Sequence, residues 1–155
     1  MLIYIAADHR GYNLKEILKK HLQNSGYEAV DFGNDKLDEN DDYVDFAAAV
    51  AKEVSRDISL GRGILICGSG VGMDVVANKF RNVRASLCFS TDHAQTARAH
   101  DNSNILVLPA DFVDEETAKK IVSIWLQTQF DNDPDHSRRL QKISELETKT
   151  TNYFE

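Results

Sequence analysis

Residues 2–7 (LIYIAA) are an unbroken apolar run, after which Leu14, Ile17, Leu18 and Leu22 recur at helical spacing. The first reads as a buried strand and the second as an amphipathic helix. Asn13 is placed to cap that helix, with Glu16 three residues on, and Gly26 to stop it. The alternation then repeats. Strands are predicted over 28–32, 63–67, 84–88 and 105–108. Helices are predicted over 44–54, from the end of the glycine-rich loop at 67–72 through Lys79, and over 91–99. A further helix carries the stripe Ala118, Ile121, Val122, Trp125 and Leu126, and a last one spans 137–146. Strands alternating with helices imply right-handed crossovers and a parallel sheet covered on both faces. The fold class expected is therefore α/β: a Rossmann-like three-layer sandwich on a five-stranded parallel sheet. Such sheets bind ligands at the carboxyl ends of their strands, where the winding reverses.

At 155 residues the chain is expected to form a single domain over 1–147, with a frayed tail over 148–155 that lacks a core pattern. The net charge of −7 argues against a nucleic-acid surface. Two cysteines without a CxxC pair suggest neither a disulfide framework nor zinc. The opening apolar run is too short for a signal peptide or a membrane span. The expectation is a soluble, cytoplasmic protein with no membrane or nucleic-acid partner.

Chemistry concentrates at three places: Asp8-His9-Arg10-Gly11 after the first strand, Cys67-Gly68-Ser69-Gly70-Val71-Gly72 after the third, and His100-Asp101-Asn102 before the fifth. If the first and third strands are neighbours, the first two sets face one another, and His9 and His100 both flank strand ends facing the site. Three glycines in the CGSGVG loop let its backbone N–H groups turn inward to hold an anion, and the following helix adds its positive end. A cysteine there is expected to have a lowered pKa. On the pattern alone, the stretch reads equally as a glycine-rich turn with a buried structural cysteine. A dinucleotide fingerprint fails, because the spacing is GxGxG on the third turn. A cysteine phosphatase fails too, because Met73 stands where its arginine is needed. His21 reads as a surface residue, His93 as structural or solvated, Cys88 as core, and the acidic stretch 35–42 as a solvated loop.

The segments Ala7-Asp8-His9-Arg10-Gly11, Ile66 through Met73, Ala77-Asn78-Lys79, Val83-Arg84-Ala85 and Tyr43 through Ala47 resemble the type B ribose-5-phosphate isomerases. The related galactose-6-phosphate isomerase subunits share the pattern, which runs on to Arg138 through Ile143. The resemblance implies an aldose–ketose isomerase of carbohydrate metabolism, of the pentose phosphate pathway type, without metal or organic cofactor. In that scheme Cys67 moves a proton between C2 and C1 through a cis-enediolate. The N–H groups of the Gly68, Ser69, Gly70, Val71 and Gly72 loop hold the enediolate. Ser69 helps move the hydroxyl proton and His100 assists ring opening. Asp8 and Tyr43 line the sugar, and Asp101 stands where the family has asparagine. His9 and Arg139 grip the phosphate, and His136 and Arg139 complete the site of a second copy in a homodimer or dimer of dimers.

Two departures bear on the substrate. Asp111 and Asp135 stand where the family has phosphate-gripping arginines. The exchanges shift the local charge by ~4 units, which disfavours a dianion. Either another cation such as Arg10 or Arg138 moves in, or the substrate's far end is changed, for example to an unphosphorylated sugar; the residues favour the latter. A catalytically degraded partner subunit and a phosphate-relay or redox cysteine protein are the remaining alternatives.

Overall fold

Each strand is followed by a helix too long for a hairpin, so all five strands run parallel. The computed structural model describes residues 1–59 and 61–152. In chain order the elements are β1 (Leu2–Ala7), α1 (Tyr12–Asn24), β2 (Glu28–Asp31), α2 (Tyr43–Arg56), β3 (Gly61–Cys67) and α3 (Val71–Ala77). There follow β4 (Ala85–Leu87), α4 (Thr91–Ala99), β5 (Ile105–Pro109), α5 (Glu115–Gln127) and α6 (Pro134–Asn152). The strand order is β2-β1-β3-β5-β4, so winding reverses between β1 and β3.

Side chains alternate across the pleat, and the two faces bury separate clusters. Ile3, Ile5, Ile64, Ile66, Leu106 and Leu108 pack with residues of α1, α4 and α5 around the fully buried Trp125. Tyr4, Ala6, Leu65, Cys67, Ile105 and Val107 pack with residues of α2 and α3. This is the three-layer sandwich expected from the alternating pattern. No helix among the described residues is long and apolar enough to cross a membrane.

The boundaries differ where side chains outside the hydrophobic pattern decide them. Helix α1 starts at Tyr12 with Gly11 in the cap position, and Asn13 lies inside its first turn. The reason is Asp8, whose Oδ1 accepts from the N–H groups of Arg10 and Gly11 at 3.0 Å and sets the entry earlier. Gly26 ends the helix as expected. Its φ of +80° lets its own N–H donate to Gln23 and the N–H of Tyr27 donate to Leu22. Helix α6 begins three residues before the expected start, because Asp133 accepts from the N–H of Asp135 at 2.8 Å and Pro134 needs no donor there. It runs on to Asn152, with Glu147 accepting from the N–H of Asn82. Part of the expected tail is therefore helical, and residues 153–155 lie outside those described.

One polar cluster inside this frame positions the site. Lys15 is fully buried, with its Nζ donating to Asp31 at 2.8 Å and to the carbonyl of Asn34 at 2.8 Å. Lys19 donates to the same Asp31 carboxylate at 2.6 Å. Burial opposes ionisation of Asp31, but the two lysines outweigh it and hold the group below the usual carboxylate range. The loop leaving β2 is thereby pinned to α1, and it carries the residues that reach His9.

Candidate active site

Strands β1 and β3 are paired with Ala7 opposite Ile66, and the N–H of Asp8 donates to the Ile66 carbonyl at 3.3 Å. The chain therefore leaves both strands side by side, with Asp8 and Cys67 at adjacent carboxyl ends. That is the switch-point placement expected from the sequence.

Cys67 is 4% exposed, and the backbone N–H groups of Gly70 and Met73 are directed at its sulfur. The expected lowering of its pKa is not what this environment produces. Burial pushes the thiol up and outweighs the two N–H groups, with the nearby Asp8 charge acting the same way. The helix beyond the loop has only seven residues, so its positive end is a weak counterweight. The loop itself is held open by Gly70, which caps α3 at a φ of +78°, a conformation costly for any other residue type. Ser69 is exposed at the tip, its Oγ accepting from the N–H of Val71 at 3.4 Å. The Tyr43 ring lies across the loop, since a Cβ on Gly72 would stand 2.6 Å from its Cε2. Cys88 is a free, buried thiol pushed up to about 12 by burial, as suits a core residue.

Asp8 is buried, and desolvation raises it above the usual carboxylate range against the hydrogen bond from Gly11. His9 stands beside it at the rim. Its Nδ1 lies 2.8 Å from Asp41 Oδ1, and the same oxygen accepts its backbone N–H at 3.0 Å. Asn34, on the pinned loop, donates to the other oxygen of Asp41 at 3.2 Å. Asp41 thus belongs to the site, although the acidic stretch containing it reads in sequence as a solvated loop. No local pattern separates Asp41 from its acidic neighbours; only folding brings it to His9.

The hydrogen bond that the His9 ring donates to Asp41 raises the His9 pKa. The imidazolium is therefore kept to higher pH than in a free histidine, and its charge is lost as pH climbs through that raised value. Asp41→Asn is expected to lower the His9 midpoint, followed by NMR of the ring protons, and to move any loss of anion binding to lower pH. An unchanged midpoint would show that Asp41 does not set the charge of His9.

Arg10 and Asp111 form an ion pair directly over the loop. A Cβ on Gly68 would meet Arg10 Nε at 2.5 Å and Asp111 Oδ2 at 2.7 Å, so a larger residue there would displace the pair from the loop. Asp111 is therefore matched by an arginine of this chain. Asp135 is likewise matched, with Arg138 at 2.9 Å and Arg139 at 3.9 Å.

The remaining predicted residues lie elsewhere, which corrects the expectation that His100 flanks a strand end facing the site. His100 ends α4, and it and Asp101 precede β5, at the amino edge of the sheet. Cys67 pairs with Pro109 at the far end of that strand. A five-residue strand spans about 16 Å, so the two ends are well separated. Around His100 the chain gathers a second group. The His136 ring stacks on it at 4.3 Å, and His136 Nδ1 lies 2.9 Å from Asp131. Arg139 follows on the same helix, α6. The backbone of Asp101 accepts from Arg84 Nε at 3.1 Å. The structure thus brings Asp8, His9, Tyr43, Cys67, Gly68, Ser69, Gly70, Val71 and Gly72 to one end, and His100, Asp101, His136 and Arg139 to the other.

The family model described as Ribose/Galactose Isomerase matches residues 3–143. The ribose-5-phosphate isomerase B of Escherichia coli is 37% identical, over 95% of this chain and 97% of its own length. The D-erythrulose-4-phosphate isomerase of Pectobacterium atrosepticum is 38% identical, over 83% of this chain and 84% of its own. The crystal structure of ribose-5-phosphate isomerase B from Mycoplasma genitalium with bound ribulose-5-phosphate superposes with a TM-score of 0.92 at 43% identity, covering 95% and 96% of the two chains. The β1–β3 switch point, the loop at Cys67 and these matches along most of the sequence agree: the chain belongs to the ribose/galactose isomerase family.

Proposed function

We propose that the chain interconverts an aldose and a ketose phosphate through a cis-enediolate, with Cys67 as the base. The observation that carries this reading is the sulfur's position. It is buried at the head of the loop, with the N–H groups of Gly70 and Met73 directed at it and the carboxyl of Asp8 nearby. Proton transfer next to a carbonyl needs a base and a fixed environment for the developing oxyanion. In the thiolate form Cys67 takes the C2 proton of the open-chain aldose, leaving the electron pair in the enediolate. N–H groups of the 68–72 loop stabilise its oxygens, and Ser69 passes the hydroxyl proton between O2 and O1. Return of the carbon-bound proton to C1 completes the ketose and restores the thiolate. Nothing is oxidised or reduced overall, so the reaction calls for no cofactor.

Two copies are needed in this reading. His100 assists ring opening, while His136 and Arg139 grip the anionic end, and all three reach the Cys67 loop of a neighbouring chain rather than their own. Their place at the opposite edge of the sheet supports a homodimer or a dimer of dimers.

A phosphorylated substrate is favoured over a free sugar by the Arg10–Asp111 pair. The carboxylate that replaces the family arginine is neutralised, and a guanidinium lies over the loop near His9, whose charged form Asp41 favours. The similar proteins from E. coli and P. atrosepticum are named for different sugar phosphates, so the sugar itself is left to the assay. The test is an NMR screen of free and phosphorylated pentoses, tetroses and hexoses for solvent deuterium entering C1 or C2. Exchange confined to phosphorylated sugars is the expected result. Exchange of free sugars alone would instead make Asp111 and Asp135 the mark of a changed substrate end.

A further inference from the structure

The cluster at the amino edge of the sheet has the makings of a metal site. One ligand atom each from His100, Asp131 and His136 lie within 4.8 Å of one another. They come from three separate segments: the end of α4, the loop between α5 and α6, and the first turn of α6. That loop is fastened in place, the N–H of Asp131 donating to the Ala99 carbonyl at 3.0 Å. The Asp131 carboxylate also accepts from the N–H of Asp133 at 2.9 Å, which orients it toward the histidines.

We propose that His100, Asp131 and His136 bind a divalent transition metal, with Zn²⁺ the best match, and that the bound ion withdraws His100 from the sugar. Two imidazoles and one carboxylate suit zinc, and three protein ligands leave a fourth position for water. In a tetrahedral zinc site the ligand atoms stand roughly 3.3 Å apart, so the cluster must contract by about 1.5 Å. His100 and Asp131 are both exposed rather than packed into the core. Coordination would end the ring stacking between His100 and His136 and replace it with two nitrogen–metal bonds. Magnesium and calcium, which prefer oxygen ligands, are disfavoured by the same donor set.

Metal uptake stands on this geometry alone, whereas the inhibitory consequence rests on the reading of His100 as the group that opens the sugar ring. The full chain is titrated with Zn²⁺ against a chromophoric chelator, and with Co²⁺ by its visible absorption. One ion per chain is expected, with affinity falling by more than the roughly 10–100-fold that loss of an outer-shell partner costs in each of Asp131→Asn, His100→Ala and His136→Ala. Cys67→Ser, which removes the other strong zinc ligand, should bind as the wild type does. Isomerase activity of the wild type should fall with the same midpoint and return on adding EDTA, and Asp131→Asn should resist inhibition. Unchanged metal affinity in the three variants, or loss of it in Cys67→Ser, overturns the site. Binding without inhibition overturns its effect on His100. A chain that takes up the metal at these residues but isomerises no sugar supports the site and refutes the functional reading alone.

Discussion

Cys67→Ala is expected to lower the rate of solvent-proton exchange at C1 and C2 by roughly 10²–10⁴-fold, the usual contribution of a positioned general base. Folding should survive, because the change removes one sulfur from a small buried position next to Met73 and leaves the glycine conformations of the loop untouched. Circular dichroism is the control. The pH profile adds a second signature. Burial holds the thiol above its ordinary value, so the thiolate fraction is small at neutral pH and grows as pH rises. The wild-type kcat/KM should therefore climb on the alkaline side through the Cys67 titration, and that limb should vanish in Cys67→Ala. Cys67→Ser keeps the shape but raises the pKa of the base much further, so it should also be nearly inactive. A wild-type exchange rate in Cys67→Ala would sink the mechanism.

Mixing two damaged chains should restore activity. In the proposed homodimer, Cys67→Ala would remove the base from both sites, and His100→Ala the ring-opening group from both. If each site joins the Cys67 end of one copy to the His100 end of another, a mixed dimer holds one intact site and one doubly damaged one. Random re-pairing after dissociation makes half of the dimers mixed, so about a quarter of the wild-type rate should return. The prediction follows from the sheet: β5 separates the two groups within one chain, and side chains cannot span that length. No recovery after verified exchange of subunits would mean that the groups do not meet across an interface.

Much of this was legible before folding. Strand–helix alternation carried the fold class, since a helix between successive strands forces parallel pairing and a covered sheet. The loop at Cys67 was equally legible, because glycines at fixed spacing and a cysteine at the strand end are local facts. Boundaries were less so: α1 begins where the Asp8 carboxylate ends the turn, and α6 where Asp133 caps it, both by side-chain hydrogen bonds invisible to a hydrophobic period.

Three matters belonged to the tertiary structure alone. Asp41 joins His9 from 32 residues away, and Arg10 meets Asp111 from 101 residues away, so neither pair leaves a mark in local sequence. The charge state of Cys67 turned on burial, which depends on how α2 and α3 cover the strand rather than on the glycines beside it. Last, His100 looked like a partner of Cys67 because both flank strands, but one precedes its strand and the other ends one. The sequence by itself thus determined a parallel α/β sheet, a glycine-rich loop headed by Cys67 on its third strand and the family pattern. The tertiary structure decided which residues share an end of that sheet, because through-space contact and desolvation are set by the packing of distant segments.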